Sequence, residues 1–453
     1  MQTLQELARA INAEYVGADT PFTGVSIDSR TLNAGELFVA LHGHQDGHAW
    51  AEDAVNKGAS ALLVDHRLPL NVPQIIVPDT LKGLGALASA WRAQFHIPII
   101  ALTGSCGKTT TKEMIASILA EVGPTLATEA NYNNEIGVPL TLLKLRPEHQ
   151  FAVVEIGTNS PGEINYATQL VQPTVALITN IQAQHVEKLG SFEGISQEKS
   201  DIFAYLNHLG IAIINLDEPF APSWEAKITT EHRVTFGLTP KANVYAEHIT
   251  SSVERCEFDL ITPLGPQTVA IPSGGQHLVI NALAAAATSL SVGASLKHIA
   301  AGLARLQAVP GRFRLYRLPT GALLIDDTYN ASFKSVENAL GTLREFPGTK
   351  ILVMTHMGEL GTYNVKFHQE LGEVCHAAQL DDIFFYGQKE VLNYTLKACP
   401  QARYFEQKDE LIAALLPLLQ QQDTLLLVKG SRANKMEEVV ERLLTHFKVP
   451  KTA

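Results

Sequence analysis

The chain has 453 residues, a length typical of about three domains. Hydrophobic residues make up 46% of it and charged residues 18%, which is typical of a soluble globular protein with an ample core. The net charge of −11 argues against broad nucleic-acid binding, but it leaves room for an anionic substrate held in a local cationic pocket.

Two further features bear on location. No apolar run approaches the ~20 residues of a membrane span, and residues 1–7 lack the basic and apolar regions of a secretory signal. The four cysteines have neither metal-ligand spacing nor the arrangement of a disulfide framework. We therefore expect a cytoplasmic protein with no membrane span.

The first 80 residues contain three short apolar runs, which predict strands. These runs lie at residues 37–41, 61–64 and 74–77, and a helical pattern at 49–57 separates the first two. We expect them to form a first domain at residues 1–82.

The central part of the chain alternates between apolar runs and helical patterns. A helical pattern at 84–95 leads to a strand at 99–102, and further strands are predicted at 151–155, 175–180 and 211–215. Alternation of this kind favours a parallel sheet covered on both faces. Residues 233–271 instead predict a β-rich excursion, followed by an Ala-rich helix at 281–290.

The pattern breaks at residues 309–312, so we place the central domain at 83–312. Beyond it, strands predicted at 323–325, 351–354, 382–386 and 425–428 alternate with helices, which indicates a Rossmann-like domain at 313–453. The predicted fold class is therefore α/β with three domains, the central one built on a parallel sheet.

A short polar segment joins the strand at 99–102 to the next helical pattern and predicts a phosphate-binding loop. Small residues let backbone N–H groups surround phosphate oxygens, and the helix N-terminus adds positive potential. In such a loop Lys108 reaches the β- and γ-phosphates and the Thr109 hydroxyl binds Mg²⁺. The candidate nucleotide-binding residues are Thr103, Gly104, Ser105, Cys106, Gly107, Lys108, Thr109 and Thr110.

The spacing of this loop is unusual. Two residues separate Gly104 from Gly107, where four are usual between the first glycine and the Gly-Lys pair. Cys106 is interpreted as a small residue in a tight turn.

Polar residues that end apolar runs are the next candidates, because ligand sites in open α/β sheets lie at the carboxyl ends of strands. Glu155 ends one run and can bind Mg²⁺. Residues 326–330 end another and predict a polar site that includes Asp327. Lys429 and Arg432 follow a third run and can bind a carboxylate or a phosphate.

Two other residues carry little signal by themselves. His185 follows the strand at 175–180, and a lone histidine there is more often structural than a ligand. Lys199 begins a helical pattern, where a solvated lysine is the default interpretation.

Taken together, these motifs resemble the Mur ligase family, the ATP-dependent amide-forming enzymes of peptidoglycan synthesis. The family's loop reads Thr-Gly-x-x-Gly-Lys-Thr-[Ser/Thr], which explains the short spacing found here. Matching motifs run in family order along nearly the whole chain. They are Asp28-Ser29-Arg30, Asp46-Gly47-His48, Asn133-Asn134-Glu135, Glu155-Ile156-Gly157, Asp326-Asp327-Thr328-Tyr329-Asn330 and Lys429-Gly430-Ser431-Arg432.

The resemblance implies a role for each domain: the first binds a UDP-sugar, the second binds ATP, and the third closes over the site and helps to bind the incoming amine. It also implies that Lys108, His185 and Lys199 are catalytic. The implied metal ligands are Thr109, Glu155, His185 and a carbamylated Lys199. Asn281, Arg312 and Asp327 are implied to contact the nucleotide. The implied substrate-binding residues are Ser29, Arg30, Asp46, Asn134, Asn330, Lys429 and Arg432.

Within the family, the motifs are most similar to those of ligases that join D-alanyl-D-alanine to UDP-N-acetylmuramoyl-tripeptide. The implied reaction uses ATP and Mg²⁺, passes through an acyl phosphate and gives the pentapeptide. We expect a monomer without nucleic-acid partners. Two alternatives remain open at this point, a folylpolyglutamate synthase-type ligase and a non-enzymatic nucleotide-binding switch.

Overall fold

The strands form four sheets in the computed structural model, which describes residues 3–183 and 186–450. The first sheet has the order β1-β5-β4-β3-β2, with β1 antiparallel to β5 and the other pairs parallel. Its strands are β1 (Glu14–Val16), β2 (Val25–Ser26), β3 (Leu37–Val39), β4 (Ala61–Val64) and β5 (Gln74–Ile76). The helices of this region are α1 (Leu4–Ala10), α2 (Ala51–Asn56) and α3 (Thr80–Arg92).

Helix α3 joins the first sheet to the central one. The Asp79 side chain caps its N-terminus, and Leu84 and Leu87 are buried in an apolar core that extends from the first sheet to one face of the central sheet. Trp91 at its far end donates a hydrogen bond to the Leu145 carbonyl at 3.2 Å. The first two sheets are therefore packed against a shared helix.

The central sheet is parallel throughout, in the order β11-β10-β9-β6-β8-β7. Its strands are β6 (Ile99–Thr103), β7 (Thr125–Ala127), β8 (Phe151–Glu155), β9 (Val175–Ile178), β10 (Ile211–Asn215) and β11 (Arg233–Phe236). The helices between them are α4 (Lys108–Ala120), α5 (Gly137–Leu142), α6 (Glu163–Val171), α7 (Val186–Leu189), α8 (Phe192–Ser200) and α9 (Ala221–Trp224).

The β-rich excursion is shorter than expected. Residues 233–236 form β11, which pairs in parallel with β10 and so belongs to the central sheet. A separate antiparallel sheet follows, made of β12 (Tyr245–Ser251), β13 (Cys256–Thr262) and β14 (Gly265–Ile271). Helices α10 (His277–Ser291) and α11 (Leu296–Ala304) then pack beside α4 in a second core.

The last sheet has the order β15-β16-β20-β17-β18-β19, with only β15 antiparallel to its neighbour. Its strands are β15 (Arg314–Arg317), β16 (Leu323–Asp327), β17 (Thr349–Thr355), β18 (Asp382–Tyr386), β19 (Arg403–Phe405) and β20 (Thr424–Lys429). Its helices are α12 (Phe333–Glu345), α13 (Asn364–Ala377), α14 (Lys389–Ala398), α15 (Lys408–Leu418) and α16 (Glu437–His446). Apolar cores lie on both faces of this sheet, as in other doubly wound domains.

None of the described helices combines the length and apolarity that crossing a bilayer requires. The domain boundaries at 82/83 and 312/313 stay a prediction.

Candidate active site

The phosphate-binding loop follows β6 and ends in α4, as the motif predicts. Gly107 is the N-cap of α4 with a φ of +79°, and Gly104 has a φ of +151°. A Cβ at Gly104 would lie 1.9 Å from Thr179 Oγ1, and one at Gly107 would lie 2.5 Å from Asn281 Oδ1. Both positions therefore require glycine, on account of both backbone conformation and space.

The segment after β9 holds the loop in place. Asn180 Oδ1 accepts the Cys106 N–H at 2.9 Å, and Asn180 Nδ2 donates to the Cys106 carbonyl at 2.9 Å. Thr179 Oγ1 donates to the same carbonyl at 2.7 Å. The Ser105 hydroxyl donates to the Gln182 carbonyl at 3.1 Å and accepts the Gln182 N–H at 2.9 Å. The loop is thus fixed by side-chain and backbone groups that lie more than 70 positions away in sequence.

Because Asn180 satisfies both backbone groups of Cys106, Asn180→Ala is expected to loosen the loop and raise the KM for ATP. Leaving this half-buried N–H unpaired costs about 1–2 kcal/mol, which corresponds to roughly ten- to thirtyfold in affinity. Steady-state kinetics with varied ATP measure the effect. Asn207→Ala is the matched control, since that exposed side chain accepts only a local N–H. An unchanged KM in Asn180→Ala would show that the clamp has no part in nucleotide binding.

Lys108 lies at the first position of α4, and its ammonium is folded onto its own loop. Nζ donates to the Gly104 carbonyl at 2.8 Å and to the Ser105 carbonyl at 3.3 Å. Burial lowers the pKa of Lys108 from its ordinary value, while the Glu155 carboxylate acts in the opposite direction. The amine is therefore held inside the loop that would surround a phosphate.

Glu155 ends β8 and is almost completely buried. Its backbone N–H donates to Thr128 Oγ1 at 3.0 Å, and Asn133 Nδ2 donates to Oε1 at 2.7 Å. The second oxygen, Oε2, is buried and has no hydrogen-bond partner among the described residues. An unpaired buried carboxylate oxygen is costly, and oxygen donors are what Mg²⁺ prefers. Glu155 and the nearby Thr109 hydroxyl therefore fit a magnesium ion.

Charged side chains from the domain boundary and from the C-terminal domain lie beside the loop in the cleft. Arg312 Nη2 donates to Thr109 Oγ1 at 3.3 Å, and its guanidinium carbon lies 3.9 Å from the centroid of the Tyr329 ring. Lys429 is buried and donates to Asp327 Oδ2 at 2.6 Å and to the Asn330 carbonyl at 3.1 Å. These contacts place residues from both domains around one site.

A cleft of about 740 Å³ lies between the central and C-terminal domains. It brings together most of the residues predicted for nucleotide and metal binding, and some predicted for substrate binding. They are Ser105, Cys106, Gly107, Lys108, Thr110, Asn134, Glu155, Asn281, Arg312, Asp327, Asn330, Lys429 and Arg432. Thr103, Gly104 and Thr109 lie behind this surface as part of β6, the loop and α4. Two of the lining cations, Lys334 and Arg432, are largely exposed, and Arg432 pairs with Glu437 at 3.1 Å.

Lys199 ends a helix instead of beginning one, which corrects the sequence prediction. Helix α8 starts after Ser191, whose side chain accepts the Gly194 N–H, and Lys199 is its next-to-last residue. The side chain is buried, not solvated. Burial, together with the nearby Lys108 ammonium, lowers the pKa of Lys199 to about 7. His185 lies outside the described residues.

The predicted substrate residues of the first domain lie apart from the cleft lining. Arg30 is exposed and pairs with Asp28 at 2.7 Å, which lowers the pKa of that carboxyl to about 2. Ser29 is buried, and its carbonyl accepts from Lys57 Nζ at 3.0 Å. Asp46 Oδ1 accepts the His48 N–H at 3.0 Å.

Sequence reasoning missed several residues that shape the site. Thr128 and Asn133 orient Glu155, and Asn180 clamps the loop. His277 also lines the cleft, and burial lowers its pKa to about 4, so its imidazole is neutral. Asn180 carried one usable signal, since it is a polar residue directly after an apolar run.

Glu198 is another residue near the cleft that sequence reasoning missed. Its carboxylate accepts the N–H groups of Gly162 at 2.7 Å and Ile164 at 2.9 Å, and so fixes the start of α6 beside the cleft. Nothing in the sequence around position 198 indicated these partners.

Three models of Mur ligase domains match the chain in order. The Mur ligase family catalytic domain matches residues 21–92, the Mur ligase middle domain residues 102–289, and the Mur ligase glutamate ligase domain residues 311–432. With a phosphate-binding loop in the middle domain and a cleft shared with the last one, the chain belongs to the Mur ligase family.

The relatives of this chain include enzymes from different bacteria that carry the same name. The UDP-N-acetylmuramoyl-tripeptide–D-alanyl-D-alanine ligase of Escherichia coli (strain K12) is 43% identical over 446 residues, which are 97% of this chain and 98% of that enzyme. The enzyme of the same name from Bacillus subtilis (strain 168) is 34% identical over 98% of each chain.

Solved structures agree with this placement. The crystal structure of MurF from Acinetobacter baumannii superposes with a TM-score of 0.91 at 35% identity over 98% of both chains. MurF ligase from Thermotoga maritima, solved in complex with ADP, has a TM-score of 0.83 at 25% identity, covering 94% of this chain and 98% of its own. The predicted family and the three-domain α/β fold class are confirmed.

Proposed function

We propose that the chain is an ATP-dependent ligase that joins D-alanyl-D-alanine to UDP-N-acetylmuramoyl-tripeptide. The observation that carries the proposal is the shared cleft, in which the phosphate-binding loop, Glu155 and the boundary residue Arg312 face Asp327 and Lys429 of the C-terminal domain. Full-length similarity to ligases of this name supports the substrate pair. A cytoplasmic location and a monomeric state remain part of this proposal.

The reaction consists of two displacements. The terminal carboxylate of the tripeptide attacks the γ-phosphorus of ATP, which forms an O–P bond and releases ADP. The amine of D-alanyl-D-alanine then attacks the acyl carbon, forms the amide, loses a proton and expels phosphate. Acyl phosphates hydrolyse readily, so the site must exclude water, which closure of the cleft between two domains can do.

The chain's own residues supply charge and position. Lys108 leaves its contacts with the Gly104 and Ser105 carbonyls to donate to phosphate oxygens. Arg312 lies over the Tyr329 ring and reaches Thr109 at the start of α4. Asn180 bonds to both backbone groups of Cys106 and so keeps the loop backbone in position for the phosphates. Asn281 lies beside Gly107, where it would contact the nucleotide.

Glu155 and Thr109 would hold Mg²⁺, which supplies charge neutralisation to the phosphates when bound. His185 and a carbamylated Lys199 are proposed to hold a second ion. The Asp327–Lys429 pair lies across the cleft from the loop, where it would orient the nucleotide or the incoming amine. Asn134, Asn330 and Arg432 line the same cleft and are proposed to bind substrate.

Phosphate release from ATP tests the function. We expect release only when UDP-N-acetylmuramoyl-tripeptide and D-alanyl-D-alanine are both present, with formation of the pentapeptide confirmed by mass spectrometry. Tripeptides with lysine and with diaminopimelate at the third position are both assayed. ATP binding without release that depends on the amine would instead indicate a nucleotide switch. Turnover only with a folate and glutamate would indicate a folylpolyglutamate synthase-type ligase.

A further inference from the structure

Imidazoles and carboxylates meet at the carboxyl edge of the first sheet, away from the cleft. His42 follows β3 and Asp65 follows the neighbouring β4, while His48 lies in the 3₁₀ turn Gly47–Trp50. His42 Nε2 is 2.6 Å from Asp65 Oδ2, and His48 Nε2 is 3.1 Å from Asp65 Oδ1. One donor atom from each of the three residues lies within 4.8 Å of the others.

A second carboxylate lies on the opposite side of both rings. Asp46 Oδ1 is 2.6 Å from His48 Nδ1 and 3.4 Å from His42 Nδ1. Each imidazole therefore has Asp46 at its Nδ1 and Asp65 at its Nε2. The His48 side chain is only 6% exposed, so its ring is held in this orientation.

His48 has the arrangement found around metal-bound histidines, in which one ring nitrogen binds the ion and the other donates its proton to a carboxylate. His42 has its shorter carboxylate contact at Nε2, so its proton would shift to Nδ1, on the side of Asp46, when Nε2 binds an ion. The short Nδ1···Asp46 contact assigns the proton of His48 to Nδ1 and leaves the Nε2 lone pair directed at Asp65. In the metal-free form that lone pair accepts the Asp65 N–H at 3.1 Å, a single neutral hydrogen bond that a coordinate bond can replace.

We propose that His42, His48 and Asp65 form a binding site for a divalent transition-metal ion, with Zn²⁺ as the best match, and that Asp46 is the outer carboxylate that orients the two rings. Two imidazoles and one carboxylate are a common zinc ligand set, whereas Mg²⁺ prefers oxygen donors. His66 Nδ1 lies 2.5 Å from Asp65 Oδ1 and is a fourth donor at the edge of the site. The connection after β3 and the connection after β4 would thereby be tied together.

Zinc binding to the full-length protein tests the proposal. Isothermal titration with Zn²⁺, in the presence of excess Mg²⁺ to occupy oxygen-rich sites, is compared between the wild type and Asp65→Asn, His42→Ala and Asp46→Asn. We expect the wild type to bind one equivalent that Asp65→Asn and His42→Ala lose or bind more than tenfold more weakly. Loss of an outer carboxylate typically weakens metal binding by about ten- to a hundredfold, which sets the expectation for Asp46→Asn.

A control variant and thermal melts show whether zinc binding depends on the proposed ligands. His44→Ala removes an exposed imidazole from the same loop that is not one of the proposed ligands, and it should bind Zn²⁺ like the wild type. Thermal melts without metal establish that each variant is folded, and added Zn²⁺ should raise the melting temperature of the wild type and His44→Ala only. Equal Zn²⁺ stoichiometry and affinity in the wild type and Asp65→Asn, or no binding to either, would overturn the proposal.

Discussion

Lys108→Ala is expected to reduce ligase turnover by about a thousandfold or more, equal to about 4 kcal/mol of transition-state stabilisation. Its ammonium is the only lysine nitrogen among the described residues that bonds to the loop carbonyls at positions 104 and 105, the place where phosphate oxygens would bind. Pentapeptide formation at saturating substrates measures the loss.

The variant should remain folded, because burial lowers the pKa of Lys108 and the native state therefore does not favour its charge. A thermal melt close to that of the wild type would confirm this. Lys144→Ala is the matched control, since that lysine is exposed in the same domain and pairs only with Glu129. Surface pairs contribute about 0–1 kcal/mol, so its activity should be unchanged. Retained turnover in Lys108→Ala would refute the assignment of the phosphate-binding loop.

The long buried strands could be predicted because each is a continuous apolar run. β4, β8 and β18 begin and end where the sequence placed them. The edge strands β1, β2 and β19 have two or three residues each and are partly exposed, so their residues form no distinct apolar run. β11 could not be assigned to its sheet because pairing with β10 is a long-range contact that local pattern does not encode.

The site was predictable only where chemistry follows a local motif. The loop and Glu155 lie directly after strands, which gives their position in the fold as soon as the strands are recognised. The clamp by Asn180 and the contact of Arg312 with Thr109 join residues 74 and 203 positions apart. Such pairs depend on sheet order and domain packing, which one sequence does not determine by itself.

Lys199 shows how burial changes the meaning of a residue. In the sequence it belongs to an ordinary polar helical segment, but in the fold its side chain is buried near Lys108, and this lowers its pKa to about 7. About half of such an amine is neutral at neutral pH, and a neutral amine can attack CO₂, form an N–C bond and lose a proton to give a carbamate. The product is an anion in a place where an ordinary lysine would be a cation.

Lys199→Ala is therefore expected to lose about a hundredfold or more of the turnover, because the site would lose the proposed carbamate, which would position metal and phosphate. Short carboxylic acids such as acetate should restore part of the activity by occupying the space of the carbamate. In the wild type, ¹³C-labelled bicarbonate should give a carbamate signal in the NMR spectrum that Lys199→Ala lacks. The signal should grow as the pH rises through about 7, since only the neutral amine reacts.

Two further variants separate this role from packing. Lys199→Met fills nearly the same volume without forming a carbamate, so it should be folded and as inactive as Lys199→Ala. Lys227→Ala removes a partly exposed lysine that bonds to the Gln197 carbonyl and pairs with Asp201, close to the end of α8, and should keep normal turnover. Normal activity in Lys199→Met would mean that the buried amine serves only to fill space, and the carbamate would then have no part in the reaction.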